Sequence, residues 1–326
     1  DYQYEMVIWN GSNYSPASGS SEKGKGYMFI STVTPEDIEA NYNECTSSIT
    51  ISLNSSDWTM IGNPYLETIN WDKIEGINAN PGGGFLTYNK GWSLQNNLPA
   101  LRGAFVDKQF FQSNSITIKN PEIGGTNYKK EDFSNELLSD DEWLLNLELI
   151  GGKIHHKINQ IGQRTDALNQ KDNYDMIVPP SLDKPFDIIF SQNTSRDIRN
   201  INENEEWDFK VLNDYTSKTT IQWSNDIKFE EEIVLLDLEN KEIVDMKVLN
   251  KYTFLGKHNR NFKILKGSNK YIAEKSSGLI DGFKLYPNPT KRYLYIESFN
   301  KINLDDISIY TSNGKKLTIK SKQIIK

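Results

Sequence analysis

Apolar residues in this chain recur mostly at every second position. Ile49, Ile51 and Leu53 alternate with Thr50 and Ser52, and Ile116 and Ile118 with Thr117 and Lys119. Leu145, Leu147 and Leu149 alternate with Asn146 and Glu148, and Trp207, Phe209 and Val211 with Asp208 and Lys210. Ile221 and Trp223 flank Gln222, and Phe262 and Ile264 flank Lys263. A period of two sends one set of side chains to a core and the other to water, the mark of antiparallel sheets with one wet side. Helix signals are few. Thr34-Pro35-Glu36-Asp37 combines an N-cap, a proline at the first helical position and early acids, and predicts one or two turns. Residues Lys130 to Leu138 predict another short turn, and no long 3.6-residue periodicity exists. Many short strands separated by turn clusters predict an all-β chain of tandem β-sandwich domains, jelly-roll or Ig-like.

Breaks in the pattern divide the chain. The first β-sandwich module is expected over residues 1–120, ending at Asn120-Pro121 and Gly124-Gly125. A second occupies 121–270, a polar linker 271–278, and a third, truncated Ig-like unit 279–326.

Composition narrows the class. The formal net charge is -7, with no clustered Lys and Arg, so nucleic acid and anionic lipid are not expected partners. Aromatic residues reach 11% although mean hydropathy is -0.62, and disordered chains are poor in aromatics. Cys45 is the single cysteine, which excludes a disulfide-stapled scaffold. No run approaches the roughly 18 apolar residues of a membrane span. Neither an initiator Met nor a leader is visible at Asp1-Tyr2-Gln3, so the chain is expected to be a fragment, or a mature form whose leader is gone.

Candidate chemistry is sparse. Adjacent His155 and His156 on a strand point to opposite faces and cannot share one ion without a bulge. No Gly-x-Ser-x-Gly elbow occurs, and Gly82-Gly83-Gly84 lacks the Lys-Ser/Thr and helix of a phosphate loop. The acidic runs Asp140-Asp141-Glu142, Glu203 with Glu205-Glu206, and Glu230-Glu231-Glu232 read as solvated faces rather than paired catalytic acids. No catalytic residue is assigned, and the residues present are expected not to be an enzyme. Two features offer ligands. Asp166, Asp172 and Asp175 form an oxygen-rich loop, a candidate calcium site whose plainer reading is an Asx-turn; no other cofactor is expected. Tyr65, Trp71, Tyr88 and Trp92, with Tyr14, could present an aromatic platform for glycans, or else fill sandwich cores. Arg196 or Arg199 is placed to stack on Trp207 or pair with Asp197 or Asp175, a framework role.

The C-terminal unit carries the most specific pattern. Pro287 and Pro289 hold the chain extended between two strands. Leu294 and Ile296 then face a core while Tyr293 and Tyr295 face outward, and Asn313-Gly314, flanked by Ile309 and Leu317, predicts a two-residue hairpin turn. Leu285-Tyr286-Pro287-Asn288-Pro289-Thr290, the strand from Tyr293 to Glu297, and the segment from Ile307 through Gly314 to Leu317 resemble the type A sorting domain of the type IX secretion system. The family pattern continues into a Gly-Tyr-bearing strand and a basic tail not seen here, so the sorting domain is read as partial. The resemblance implies a Bacteroidota-type envelope, recognition by the type IX machinery at the outer membrane, and a cell-surface or extracellular destination.

Two weaker resemblances lie upstream. Trp58 to Tyr65, which includes Gly62-Asn63-Pro64-Tyr65, and the following Trp71-Asp72 pair resemble a β module found next to such tags. That likeness places Trp58 and Trp71 on either side of the turn. The series Asp172 to Asp175, Val178-Pro179-Pro180, Arg196 to Arg199, Trp207 to Phe209 and Asp245-Met246 resembles a second accessory β-sandwich. The implied function is the non-catalytic C-terminal part of an exported protein, acting in targeting, surface display and adhesion or binding of glycans or surface proteins. The alternative is an accessory region of a secreted protease or glycosidase whose catalytic domain lies upstream.

Overall fold

Strand alternation builds the second half of the molecule into two facing sheets. The first is made of β13 (Trp143–Gly151), β14 (Ile154–Arg164), β15 (Met176–Ile177), β17 (Thr194–Asn200), β19 (Lys218–Trp223) and β22 (Lys251–Leu255). Its order is β15-β17-β14-β13-β19-β22. The second sheet is made of β16 (Phe186–Phe190), β18 (Glu205–Asn213), β20 (Glu232–Asp237), β21 (Glu242–Asp245) and β23 (Arg260–Gly267), in the order β16-β18-β23-β20-β21. Leu145, Leu147 and Leu149 on β13 meet Trp207, Phe209 and Val211 on β18 and Phe262 and Ile264 on β23 in one core. These are the positions that alternation assigns to the buried face, and each is almost fully buried. Among the described residues the ladders are antiparallel except β14 beside β17.

The structure is a computed structural model. It describes residues 4–17, 21–31, 45–54, 57–77, 83–121, 138–139, 141–180, 185–224, 227, 229–277 and four short strands between 284 and 317. The helical turns expected at Thr34–Asp37 and, apart from Leu138, at Lys130–Leu138 lie outside the described residues.

The first unit uses shorter strands: β1 (Tyr4–Trp9), β2 (Tyr14–Pro16), β3 (Met28–Ser31), β4 (Ile49–Ser52), β5 (Trp58–Gly62), β6 (Ile69–Asn70), β7 (Ile74–Glu75), β8 (Phe85–Tyr88), β9 (Trp92–Gln95), β10 (Asn97–Leu98), β11 (Gly103–Asp107) and β12 (Ser115–Ile118). Its sheets run β5-β11-β8-β9, β4-β12-β7, β2-β1-β3 and β10-β6, and share no strand with the second unit. The turn after β5 is organised by buried Asn63. Its amide donates to the carbonyls of Glu67, Leu98 and Pro99 at 2.8–3.0 Å, and its Oδ1 accepts from the Tyr65 N–H. Trp58 and Trp71 lie in separate clusters on either side of that turn.

Residues 269–276, mostly within the stretch whose composition suggests a linker, form helix α1 (Asn269–Ser276). Ser268 caps it by accepting from the Tyr271 N–H. Ile272 then packs on Val234, Leu236 and Leu265, and Lys275 pairs with Glu206 at 3.2 Å. A single buried apolar side chain docks this helix, too weak a stripe to register as periodicity.

Candidate functional site

The rings proposed as a sugar platform are mostly inside. Tyr65 and Trp92 are each 2% exposed and Trp71 is 5% exposed, leaving Tyr88 at 39%. Trp71 sits edge-on to Phe85 at 5.2 Å and against Phe110 and Phe111. The Tyr65 hydroxyl lies 3.0 and 2.9 Å from the carbonyls of Ser47 and Ile118. No exposed platform is made by these four residues, because core formation claims three of them.

Trp92 is buried in a cluster that both units share. With Trp58, Met60, Leu86 and Phe105 it forms the first unit's side of an apolar seam, and Ile158, Met176 and Ile177 form the second unit's side. A bulge in β14 helps. Leu147 stands opposite Asn159 while Leu149 stands opposite His156, so β14 holds one extra residue there, and such a bulge re-aims neighbouring side chains. Hydrogen bonds cross the same seam. Nε1 of Trp58 donates to the Val178 carbonyl at 3.1 Å, the His155 N–H donates to the Lys90 carbonyl at 2.7 Å, and Gln109 donates to the Asp175 carbonyl. The Trp92 N–H donates to Nδ1 of His156 at 3.4 Å. Gly91 lies so close that a Cβ there would fall 2.0 Å from the His155 oxygen.

The candidate calcium ligands are engaged with protein donors. Asp175 accepts from the N–H groups of Ile198 and Asp172, and Asp172 accepts from those of Leu168 and Tyr174. Asp166 accepts from the Tyr174 hydroxyl. Among the described residues no group of three or more His, Cys, Asp and Glu side chains is placed to hold a metal ion. Asp172 makes an Asx-turn with the Tyr174 N–H, and the other carboxylate oxygens named are directed at N–H groups or at the Tyr174 hydroxyl. Burial, with Asp197 and Asp172 nearby, pushes the Asp175 carboxyl up to about 7 despite its two backbone donors.

Arg199 fills the framework role expected of that segment. It grips Asp197 through Nε and Nη2 at 2.9 and 2.8 Å, reaches Glu205 at 2.9 Å through Nη1, and lies 5.5 Å over the Trp207 ring. Arg196 lies over Phe110, a ring of the first unit, at 5.8 Å. His155 and His156 do face apart: His155 bonds Glu148 at 2.7 Å, while His156 is buried 3.7 Å from Asp187. Periodicity gave no sign of the buried Asp107 and Asp187, or of the network in which Asp237 accepts from Arg260 and contacts Tyr252, each at 2.8 Å.

In the C-terminal unit, β24 (Lys284–Tyr286) pairs antiparallel with β25 (Tyr295–Glu297), so Leu285 stands opposite Ile296 and Tyr286 opposite Tyr295. Strand β26 (Ile309–Tyr310) pairs with β27 (Lys316–Leu317), Ile309 opposite Leu317 and Tyr310 opposite Lys316. That register is centred on Asn313, one position off what a two-residue Asn313-Gly314 turn would set. Pro287, Asn288, Pro289 and Gly314 lie outside the described residues, as do Tyr293 and Leu294. Residues 284–326 match the family model of the secretion system C-terminal sorting domain. The chain therefore carries a type IX sorting domain. It is cargo of that secretion system, exported to the cell surface or the extracellular space, and the secretion machinery is a partner of the sorting domain. The match covers 43 of 326 residues. No curated protein and no solved structure matches the chain. Among the described residues no helix is long and apolar enough to cross a membrane.

Proposed function

We propose that the two β units form a rigid, non-catalytic spacer that an exported protein of a Bacteroidota-type cell carries ahead of its sorting domain. The observation that carries this reading is the seam. Three of the four rings suited to stacking on a sugar are spent on cores, and Trp92 among them on joining the two units. Arg199 is bound to Asp197 and Glu205, and His155 to Glu148, so these polar groups serve packing and pairing. A shared apolar seam with crossing hydrogen bonds favours a fixed arrangement over a swivel.

The test is a swap in the native host. Residues 4–277 of the full-length protein would be exchanged for an unrelated rigid β tandem, with the sorting domain kept. Export and surface placement should persist, as should any activity of the rest of the protein. Loss of adhesion to a glycan or a surface protein after the swap would instead assign a binding role to these units.

A further inference from the structure

We propose that the Trp92–His156 end of the contact between the two β units is an acid-opened joint, held while His156 is neutral and released when its Nδ1 takes up a proton. The geometry makes the protonation state decisive. Nδ1 of His156 accepts the Trp92 N–H from the other unit at 3.4 Å. An imidazole nitrogen that accepts has no proton of its own. Once it is protonated, two N–H donors face one another in a buried contact, and the buried charge adds its own desolvation cost.

The charged surroundings are few. On its own strand His156 has His155, which is bonded to Glu148 of β13, and Lys157. From β16 it faces Asp187 at 3.7 Å, and from the first unit the exposed Lys90, whose carbonyl takes the His155 N–H. Burial, with His155 adding to it, pushes His156 down to about 4, and burial pushes Asp187 up to about 7. At the far end of the seam Asp107 faces Asp57, Lys171 and Arg196, and Asp175 faces Asp172 and Asp197. Those carboxyls gain charge on the alkaline side, so among the seam groups with a shifted value His156 is the one that charges in acid, while the His155 ring is held by Glu148 away from the Trp92 contact.

If the opened joint gives His156 its ordinary value of 6.5, closing weakens about 30-fold between pH 7.5 and pH 5. Hydrogen exchange on the full chain reads this directly, at the amides of Trp92 and His155 and at those of Ile221 and Ile264 in the second core. Measured against a variant that cannot titrate at 156, protection corrected for intrinsic rate should fall about 30-fold at the two seam amides and hold in the core. In His156→Asn, whose Oδ1 stands where Nδ1 does and cannot titrate, the acid-side loss at the seam amides should disappear, leaving only the opposite change that the buried carboxyls contribute. An equal response in that variant, or seam and core amides failing together, would overturn the proposal. Should the variant not fold, the NMR titration of His156 in the native chain decides instead. A depressed midpoint at which the Trp92 amide also loses protection supports the joint, and a midpoint near 6.5, or one that leaves the Trp92 amide protected, overturns it.

Discussion

Arg199 is the side chain on which the second unit depends most visibly. It holds the buried Asp197 through two parallel hydrogen bonds while covering Trp207, a geometry that suits a guanidinium and not an ammonium. Arg199→Ala strands the Asp197 charge in the interior and should destabilise the fold by about 3–5 kcal/mol, measured by urea unfolding; a loss below about 1 kcal/mol would show that the pair is solvated. Buried carboxyls act with the opposite logic. Burial pushes Asp107 and Asp187 up to about 7 from an ordinary 3.8. The folded chain thus retains protons that the unfolded chain has released. Their contribution is fully present below about pH 4 and is lost as pH rises through about 7. Asp187→Asn should therefore flatten the slope of stability between pH 5 and pH 8, and an unaltered slope would contradict its burial as an acid. The framework pair was legible in the sequence because Arg199 has an acid, Asp197, and a ring, Trp207, close by along the chain to pair and stack with it. Asp187 was not, since an isolated acid between Pro185 and Ile188 carries no sign of its depth.

At the level of elements, alternation identified the strands because each has one wet face and one core face. It failed where a second surface covers the wet side. Trp92 on β9 and Ile158 on β14 are buried in a cluster that draws on both units, and no local pattern encodes that. The short β15 shows the same economy. Its edge is followed by Val178-Pro179-Pro180, which limits further pairing, and Trp58 bonds the Val178 carbonyl. Gly91 is the tightest point of the seam and has a φ of 148°. Gly91→Ala should force β9 away from β14 and expose Trp92, seen as a red shift in tryptophan emission with strand content retained in circular dichroism. Emission identical to that of the native chain would mean that the close approach is not required. Helix α1 was missed for a related reason: one buried apolar residue, Ile272, docks it beside the half-buried Tyr271, and its remaining composition is that of a linker.

For the whole molecule, the sorting domain gives the destination and the two β units give the architecture. The address was legible because Leu285 to Thr290 and the strands after it form an ordered motif, even though the hairpin register fell one position away from the Asn313-Gly314 expectation. The arrangement of the units was not legible, because it depends on residues far apart in sequence, such as Trp58 and Val178 or Trp92 and His156. The central claim is that these units make one rigid body through the seam. The most direct measurement places spin labels on Thr50→Cys and Thr253→Cys of the full chain at neutral pH, with Cys45 replaced by Ala, and reads their separation by pulsed dipolar spectroscopy. Both sites are solvent-exposed, one on β4 and the other on β22. One narrow distance is the predicted result, and a broad distribution would contradict a rigid spacer.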